Sequence, residues 1–230
     1  MSHPHLEPTR RSLHGLAELV LAGPQYLASG SIRLRVTPGG FGTESAPDLR
    51  LEGVELVTAT RRLPLGGTFA DLARAAGVEA RPLRDVYDDG PGVGVGDPVE
   101  VDPEAAAVIL EAFARADAAL RAFAPDERPV LWPEHFDIGI SVDEVNYGVS
   151  PGDVHMGEPY AYVGPWSPRE GSFWNTPFGA ARPLRSCLTP TRWPASSGTA
   201  RRGRPLIPRG DADPSGRAQC SPWSTWMTDP

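Results

Sequence analysis

The segment LWPEHFDIGISVDEVNYGVSPGD, residues 131–153, combines ionisable side chains with a strand-like pattern. His135, Asp137 and Asp143 all lie at odd positions, and the even positions from 136 to 142 are hydrophobic. Because successive side chains of a strand point to opposite faces, this spacing predicts a strand whose hydrophobic residues pack in the core. His135, Asp137 and Asp143 are then displayed together on the outer face.

A metal ion is the first chemical interpretation of this face. His135 and Asp137 are two residues apart, a distance of about 6.5–7 Å along a strand, and His155 in the next loop adds a second imidazole. Two histidines and one carboxylate are a known ligand set for non-haem iron. They predict a metal-dependent enzyme that uses His135, Asp137 and His155. The alternative is that the aspartates form cross-strand ion pairs with Arg33 or Arg35.

A second motif, GVSPG at 148–152, matches the G-x-S-x-G turn of serine hydrolases. In those enzymes the residue after the serine donates its backbone N–H to the oxyanion hole. That residue is Pro151 here, and proline has no N–H to donate. Ser150 is therefore predicted to be a turn residue and not a nucleophile.

Aromatic residues are concentrated between positions 132 and 178, which hold half of those in the chain. Aromatic side chains with a polar atom are enriched where a pocket needs both contact area and orientation. They also fill ordinary cores, which is the interpretation we adopt for Phe136. The residues predicted to form a ligand-binding site are Trp132, His135, Asp137, Asp143, Tyr147, Tyr160, Tyr162, Trp166 and Asn175.

The surrounding elements mix helices with strands. Apolar residues at helical spacing predict a first helix over 13–21, ended by Gly23 and Pro24, and a longer helix that follows the N-cap Asp102 and extends to Phe123. Alternating residues in SIRLRVT, DLRLEGVELV, VLWPEHFDIGISV and PYAYVGPW predict strands. Since no regular strand–helix–strand repeat connects them, we predict an α+β fold, with an antiparallel sheet and helices packed on one face.

Composition divides the chain into three parts. Residues 1–11 are polar and contain proline, which predicts a flexible N-terminus, and residues 12–181 are predicted to form a single α+β domain. The first 181 residues hold 14 arginines and 26 acidic residues, a net charge of −12, whereas residues 182–230 hold 8 arginines and 3 aspartates, a net charge of +5. This last part has no helical or strand period. It is predicted to be a disordered tail, or a tail that a frameshift has put out of frame.

Composition also limits the partners. The main body is acidic and repels phosphate backbones, which argues against a nucleic-acid partner. No run of about 18 apolar residues is present, so no membrane partner is predicted. Both cysteines, Cys187 and Cys220, lie in the predicted tail, so the body folds without disulfides and is expected in the reducing cytoplasm. A small molecule is left as the expected partner, with the cofactor and the oligomeric state unassigned.

Several motifs together resemble uncharacterised proteins of actinobacteria. They are SIRLRVTPGGF, VLWPEHFDIGISVDEVNYGVSPGD, EPYAYVGPW and FWNTPFGA, and the resemblance covers residues 12–182. More distantly, they are similar to a bacterial domain-of-unknown-function family with a W/F-x-x-FD strand and a tyrosine-rich hairpin. This resemblance implies a bacterial cytoplasmic α+β domain.

The family has no assigned activity, so the resemblance transfers no catalytic residue. From the residues themselves we expect a small-molecule or partner-binding domain with an aromatic and acidic face. The alternative is a metal-dependent enzyme with the set of two histidines and one aspartate named above.

Overall fold

The computed structural model describes residues 4–187, which form the predicted α+β fold around one sheet. The strands are β1 (Leu34–Thr37), β2 (Gly40–Thr43), β3 (Leu49–Glu52), β4 (Glu55–Thr58), β5 (Arg62–Pro64), β6 (Val130–Trp132), β7 (Asp137–Val142), β8 (Val145–Ser150), β9 (Tyr160–Pro165) and β10 (Ala180–Pro183). They form an antiparallel sheet in the order β10-β9-β8-β7-β6-β1-β2-β3-β4-β5. Two runs of consecutive strands, β1 to β5 and β6 to β10, therefore join through the pairing of β1 with β6.

The helices supply the second layer. They are α1 (Leu6–Gly15), a π-helical segment (Leu16–Ala22), α2 (Gly23–Ser29), α3 (Phe69–Ala76) and α4 (Pro103–Phe123). The predicted N-cap of α4 is confirmed, since the Asp102 carboxylate accepts the backbone N–H of Ala105 at 2.8 Å. Buried side chains of α4, including Ile109 and Phe113, pack against the sheet. Within the described residues no helix is both long enough and apolar enough to cross a membrane.

The N-terminal helix begins earlier than predicted, so the flexible N-terminus assigned to residues 1–11 is wrong from Leu6 onward. Leu6 is buried, and the Thr9 hydroxyl accepts the backbone N–H of Asp102 at 3.0 Å. Pro8 is tolerated because the N–H groups of a first helical turn have no partner within the helix. These contacts are non-local, and a local polarity pattern does not reveal them.

Gly23 and Pro24 do not end the first helix as predicted. A proline inside an α-helix clashes with the carbonyl four residues earlier, but the preceding Leu16–Ala22 segment is π-helical and its wider turns accommodate the ring. The helix ends at Gly30, whose φ is 72°. Gly23 instead permits close packing, since a Cβ there would lie 2.1 Å from the carbonyl oxygen of Arg81.

The predicted tail also begins later than residue 182. Strand β10 extends through Pro183, and a 3-10 turn follows (Leu184–Cys187). The backbone N–H of Leu184 donates to the carbonyl of Pro159 at 2.9 Å, which ties this turn to the start of β9. The disorder or frameshift predicted for the rest of the tail lies outside the described residues.

Phe136 lies in the core, as predicted, and turns the chain just before β7. Its ring packs edge to face on Phe41 and Phe113, with centroids 5.6 and 5.2 Å apart. Its φ is 54°, in the left-handed region that side chains seldom adopt. Because this turn separates His135 from Asp137, the prediction that the two share one strand face is wrong.

Asp143 lies at the tip of the hairpin that joins β7 to β8. It forms a two-residue turn with Glu144, and the φ values of the two residues are 49° and 62°. Two positive φ values are typical of a type I′ turn, in which aspartate and asparagine are favoured. The placement of Asp143 on the face of Asp137 is therefore wrong, and its role is to close the hairpin.

Candidate ligand-binding cleft

A cleft of about 960 Å³ lies between α1, residues 89–91 and the outer face of β7, β8 and β9. This volume is near the upper end of the range for sites that hold small organic molecules. Helix α1 forms one side of the cleft, and the turn at residues 151–155 forms another. Of the residues predicted as a ligand or metal site, those that line the cleft are His135, Asp137, His155, Tyr160, Tyr162 and Trp166.

Two glycines make room for Tyr162 on the outer face of the sheet. Gly139 and Gly148 are partners across β7 and β8, and Gly148 is also the partner of Tyr162 in β9. A Cβ on Gly148 would lie 2.3 Å from Cζ of Tyr162, and one on Gly139 would lie 3.1 Å from its hydroxyl oxygen. The ring therefore lies across both glycines, and its hydroxyl reaches the first residue of β7.

That first residue is Asp137, a buried carboxyl group. Its Oδ2 accepts a hydrogen bond from the Tyr162 hydroxyl, and its Oδ1 is buried with no hydrogen-bond partner. Only 8% of the residue is exposed. Asp137 lies on the face opposite the core, as predicted, but the prediction that it is displayed to solvent is wrong, because Tyr162 of β9 covers it. Burial raises the pKa of Asp137, against the lowering effects of the Tyr162 hydrogen bond and of His135, and burial also raises the pKa of the Tyr162 hydroxyl.

The ion pairs proposed as the alternative role of the aspartates involve other partners. The Arg33 guanidinium lies 3.6 Å from the carboxylate of Glu44, and Arg35 donates to the carbonyl of Thr43 at 3.0 Å. In the described part of the chain, neither arginine forms an ion pair with Asp137. Neither of these two arginines therefore offsets the cost of burying this carboxyl group.

The turn after β8 forms a hydrogen-bonded wall of the cleft. The Ser150 hydroxyl accepts the backbone N–H of Gly152 at 3.1 Å, which agrees with the turn role predicted for this serine. The Asp153 carboxylate accepts the backbone N–H of His155 at 2.7 Å and the hydroxyl of Tyr160. Burial raises the pKa of Tyr160, and its hydrogen bond to Asp153 acts in the same direction.

His14 of α1 is a cleft residue that the sequence did not single out. Its ring stacks on Phe136 with centroids 5.3 Å apart, and its Nε2 lies 2.7 Å from the carbonyl oxygen of Pro133. Burial lowers the pKa of His14 to about 4, so the ring is neutral at pH 7 and Nε2 donates to that carbonyl. A histidine within an apolar helical stripe gives no signal of this role until β7 is placed beside it.

The structure groups His135 with partners other than those predicted for a metal site. Its Nδ1 lies 3.8 Å from the Asp89 carboxylate and its Nε2 lies 3.9 Å from that of Glu134. Ligand atoms of these three residues all lie within 4.8 Å of one another. His155 packs edge to face on Phe178 at 5.5 Å, and Asp137 is held by Tyr162. Asp89 was not anticipated, because it lies in a glycine-rich loop distant in sequence.

Three further predicted residues lie outside the cleft. Tyr147 packs against Phe123 of α4 on the core side, with ring centroids 4.8 Å apart. Trp132 carries the Arg33 guanidinium over its ring at 5.9 Å. Asn175 donates to the carbonyl of Ala181 at 3.1 Å and accepts its N–H at 2.9 Å, which holds β10. The contacts of these three side chains therefore belong to the fold and not to the cleft.

Comparisons of the chain with protein-family models, curated proteins and solved structures give no match.

Proposed function

We propose that the protein binds a small organic molecule in the cleft, with Asp137 as the polar anchor. The observation that carries this proposal is the state of that carboxyl group. One of its oxygens is held by Tyr162, and the other is buried without a partner in a cleft of about 960 Å³. Buried polar atoms without partners are uncommon, and where they occur in a cleft they indicate a functional group.

The cost of burying Oδ1 supports the same conclusion. A buried polar atom without a hydrogen bond costs about 1–3 kcal/mol of stability. Three elements maintain this costly arrangement: Gly139 and Gly148 leave room for the Tyr162 ring, and the turn at Phe136 directs Asp137 beneath it. A ligand that donates a hydrogen bond to Oδ1 would remove the cost, and its binding energy would include that gain.

A thermal-shift screen of the full-length chain against a library of small metabolites tests the proposal. We expect compounds that raise the melting temperature of the wild type and bind Asp137→Asn at least about tenfold more weakly, because the amide has one acceptor oxygen in place of two and carries no negative charge. Asp143→Asn is the matched control, since asparagine is favoured in its turn. A library without a single binder, or binders that the Asp137 and Tyr162→Phe variants hold unchanged, would refute the proposal.

Metal-dependent chemistry is the second candidate, and the group of Asp89, Glu134 and His135 favours it. Imidazole and carboxylate side chains suit several divalent metals. The test is the metal content of the purified full-length protein: bound zinc, iron or manganese in stoichiometric amount, lost in His135→Ala and retained in His5→Ala. Metal-free wild-type protein that binds none of these ions on addition would rule this candidate out.

The proposal also places the protein in the bacterial cytoplasm, within the actinobacterial family that its motifs resemble, and without a nucleic-acid partner. The motifs quoted above support the family, and the acidic first 181 residues support the last point. The described domain contains a single cysteine, at its very end, so its core needs no oxidising compartment.

A further inference from the structure

Three of the five acidic residues that line the cleft lie close to His135, and we call this part of the cleft its acidic end. Asp89, Glu134 and Asp137 all line the cleft, and the charges of Glu134 and His135 act on the Asp137 carboxyl group. The ion pairs that Asp89 and Glu134 form in the described part of the chain are both with His135, at 3.8 and 3.9 Å. The imidazole of His135 therefore interacts with all three carboxyl groups.

Two arginines also line the cleft, against five acidic residues. Arg11 donates to the carbonyl of Gly92 at 2.6 Å and so ties α1 to the glycine-rich loop. Arg10 is surrounded by the negative charges of Glu7 and Asp153, which partly oppose the lowering of its pKa by burial. The acidic end is thus left with a surplus of negative charge, which favours a cation.

Aromatic rings form the adjoining wall. The ring centroids of Tyr160 and Tyr162 are 6.5 Å apart, and each lies 6.4 Å from that of Phe178. Trp166, which is 63% exposed, also lines the cleft and donates its indole N–H to Asn146 at 3.0 Å. The faces of such rings attract ammonium and guanidinium groups, and a cluster of them beside carboxylates is typical of sites for organic cations.

The arrangement favours an organic cation over a metal ion. Asp89 approaches Nδ1 of His135 and Glu134 approaches Nε2, so the two carboxylates flank opposite sides of the ring. A metal ion binds only one of those nitrogens. One oxygen of Asp137 is already held by the Tyr162 hydroxyl, and aromatic rings are not ligands for hard divalent cations.

This step rests on the proposed function. We propose that the molecule bound in the cleft is an organic cation whose ammonium or guanidinium group donates to Oδ1 of Asp137, with Glu134 and Asp89 adding charge and the aromatic wall covering its apolar part. The buried oxygen without a partner is the acceptor, and the surplus of acid selects the sign of the charge.

Three probes of similar shape and different charge test the assignment: phenethylamine, 2-phenylethanol and 3-phenylpropionate. Each is titrated into the ¹⁵N-labelled full-length protein, and its dissociation constant is taken from shifts of backbone amides in β7 and β9. We expect the amine to bind at least about tenfold more tightly than the alcohol, because a charge-assisted hydrogen bond is about twice as strong as a neutral one. The carboxylate is expected to bind most weakly.

Two variants, Asp137→Asn and Glu134→Gln, locate the charge, and Asp143→Asn is the control. Asp137→Asn is expected to remove the preference for the amine, while Asp143→Asn keeps it. Glu134→Gln leaves the buried pair of Asp137 and Tyr162 intact and is expected to weaken amine binding about two- to fivefold. Glu134→Gln keeps the test decisive if Asp137→Asn does not fold.

Several results would overturn the cation assignment. An amine that causes no concentration-dependent shift, or whose affinity neither variant changes, excludes it. Tighter binding of 3-phenylpropionate would assign the anchor to Arg10, whose Nη1 is buried without a partner. Binding of zinc or manganese alone through His135 would favour the metal site instead. A neutral or anionic probe that shifts β7 and β9 and binds at least as tightly as the amine would overturn the charge while leaving the proposed cleft function intact, whereas silence of all three probes and of the metabolite library would overturn both.

Discussion

Alanine at Gly148 is expected to destabilise the protein by about 3 kcal/mol and to abolish ligand binding in the cleft. Alanine normally stabilises a strand relative to glycine by about 0.5–1 kcal/mol, so the expected sign is reversed. The reason is the Cβ position, 2.3 Å from both Cζ and the hydroxyl oxygen of Tyr162. The Tyr162 ring would have to move off the face of the sheet. The buried Asp137 carboxyl group would then lose its hydrogen bond from the Tyr162 hydroxyl.

Denaturant unfolding of the full-length chain measures this effect, with Gly66→Ala as the matched control. No atom lies within 4 Å of a Cβ built on Gly66, so its substitution is expected to change the free energy of unfolding by less than about 0.5 kcal/mol. Tyr162→Phe keeps the ring and removes the hydroxyl, which separates packing from the hydrogen bond. Equal stabilities for Gly148→Ala and the wild type would show that the Tyr162 ring does not lie over Gly148 and Gly139.

Acidification is expected to destabilise the protein by about 3 kcal/mol through His14 alone. Burial lowers its pKa from about 6.5 to about 4 in the folded state, so the unfolded chain binds a proton that the folded chain resists. The stability that His14 contributes is therefore fully present above pH 6.5 and is lost as the pH falls toward 4. The elements packed around it supply two positive neighbours, Arg10 and His135, which disfavour the imidazolium further.

The measurement is the difference in unfolding free energy between the wild type and His14→Gln across this pH range. Glutamine retains an N–H for the Pro133 carbonyl and does not titrate, so the variant should lose less stability on acidification than the wild type. The difference isolates His14, because the other titrating groups, Asp137 included, are present in both proteins. Asp137 acts with the opposite sign, since its raised pKa contributes stability at low pH that is lost as the pH rises above its unfolded value. His5→Gln, at an exposed position, is the control, and parallel curves for wild type and His14→Gln would contradict a buried neutral His14.

Local patterns were sufficient to predict much of the scaffold. The stripe of α4 and its cap at Asp102 depend on residues three and four apart, and the alternation after Phe136 depends on neighbours two apart. Such spacings establish which side chains face the core, and Ile138 and Ile140 are buried as expected. The resulting α+β architecture follows from the order of these elements.

The candidate site could be predicted only in part, because its burial depends on strands that are distant in sequence. Asp137 alternates with core residues in the sequence, and this pattern predicts an exposed acid. It is buried because β9 brings Tyr162 over Gly148 and Gly139, and two separate glycines give no local sign of an aromatic ring above them. The same limit applies to Tyr147. Its hydroxyl suggested a pocket, although its ring packs against α4.

The errors at the ends of the domain have a related cause. Polar residues before Leu13 suggested a loose end, yet their hydroxyls bind the backbone just before α4. The tail was predicted to start at residue 182, yet Arg182 and Pro183 lie in the last strand, paired with Ala161 and Tyr160. In both places a partner far along the chain determines whether a polar segment is ordered, and composition carries no information about that partner.

The proposed function depends most directly on the unpartnered oxygen of Asp137, and a crystal structure of the full-length protein with its tightest binder from the metabolite screen is the decisive measurement. We predict a ligand in the cleft with a donor nitrogen about 2.7–3.2 Å from Oδ1 and the Tyr162 hydroxyl still bound to Oδ2. A ligand seated elsewhere on the protein, or one that occupies the cleft and leaves Oδ1 without a hydrogen bond, would contradict it.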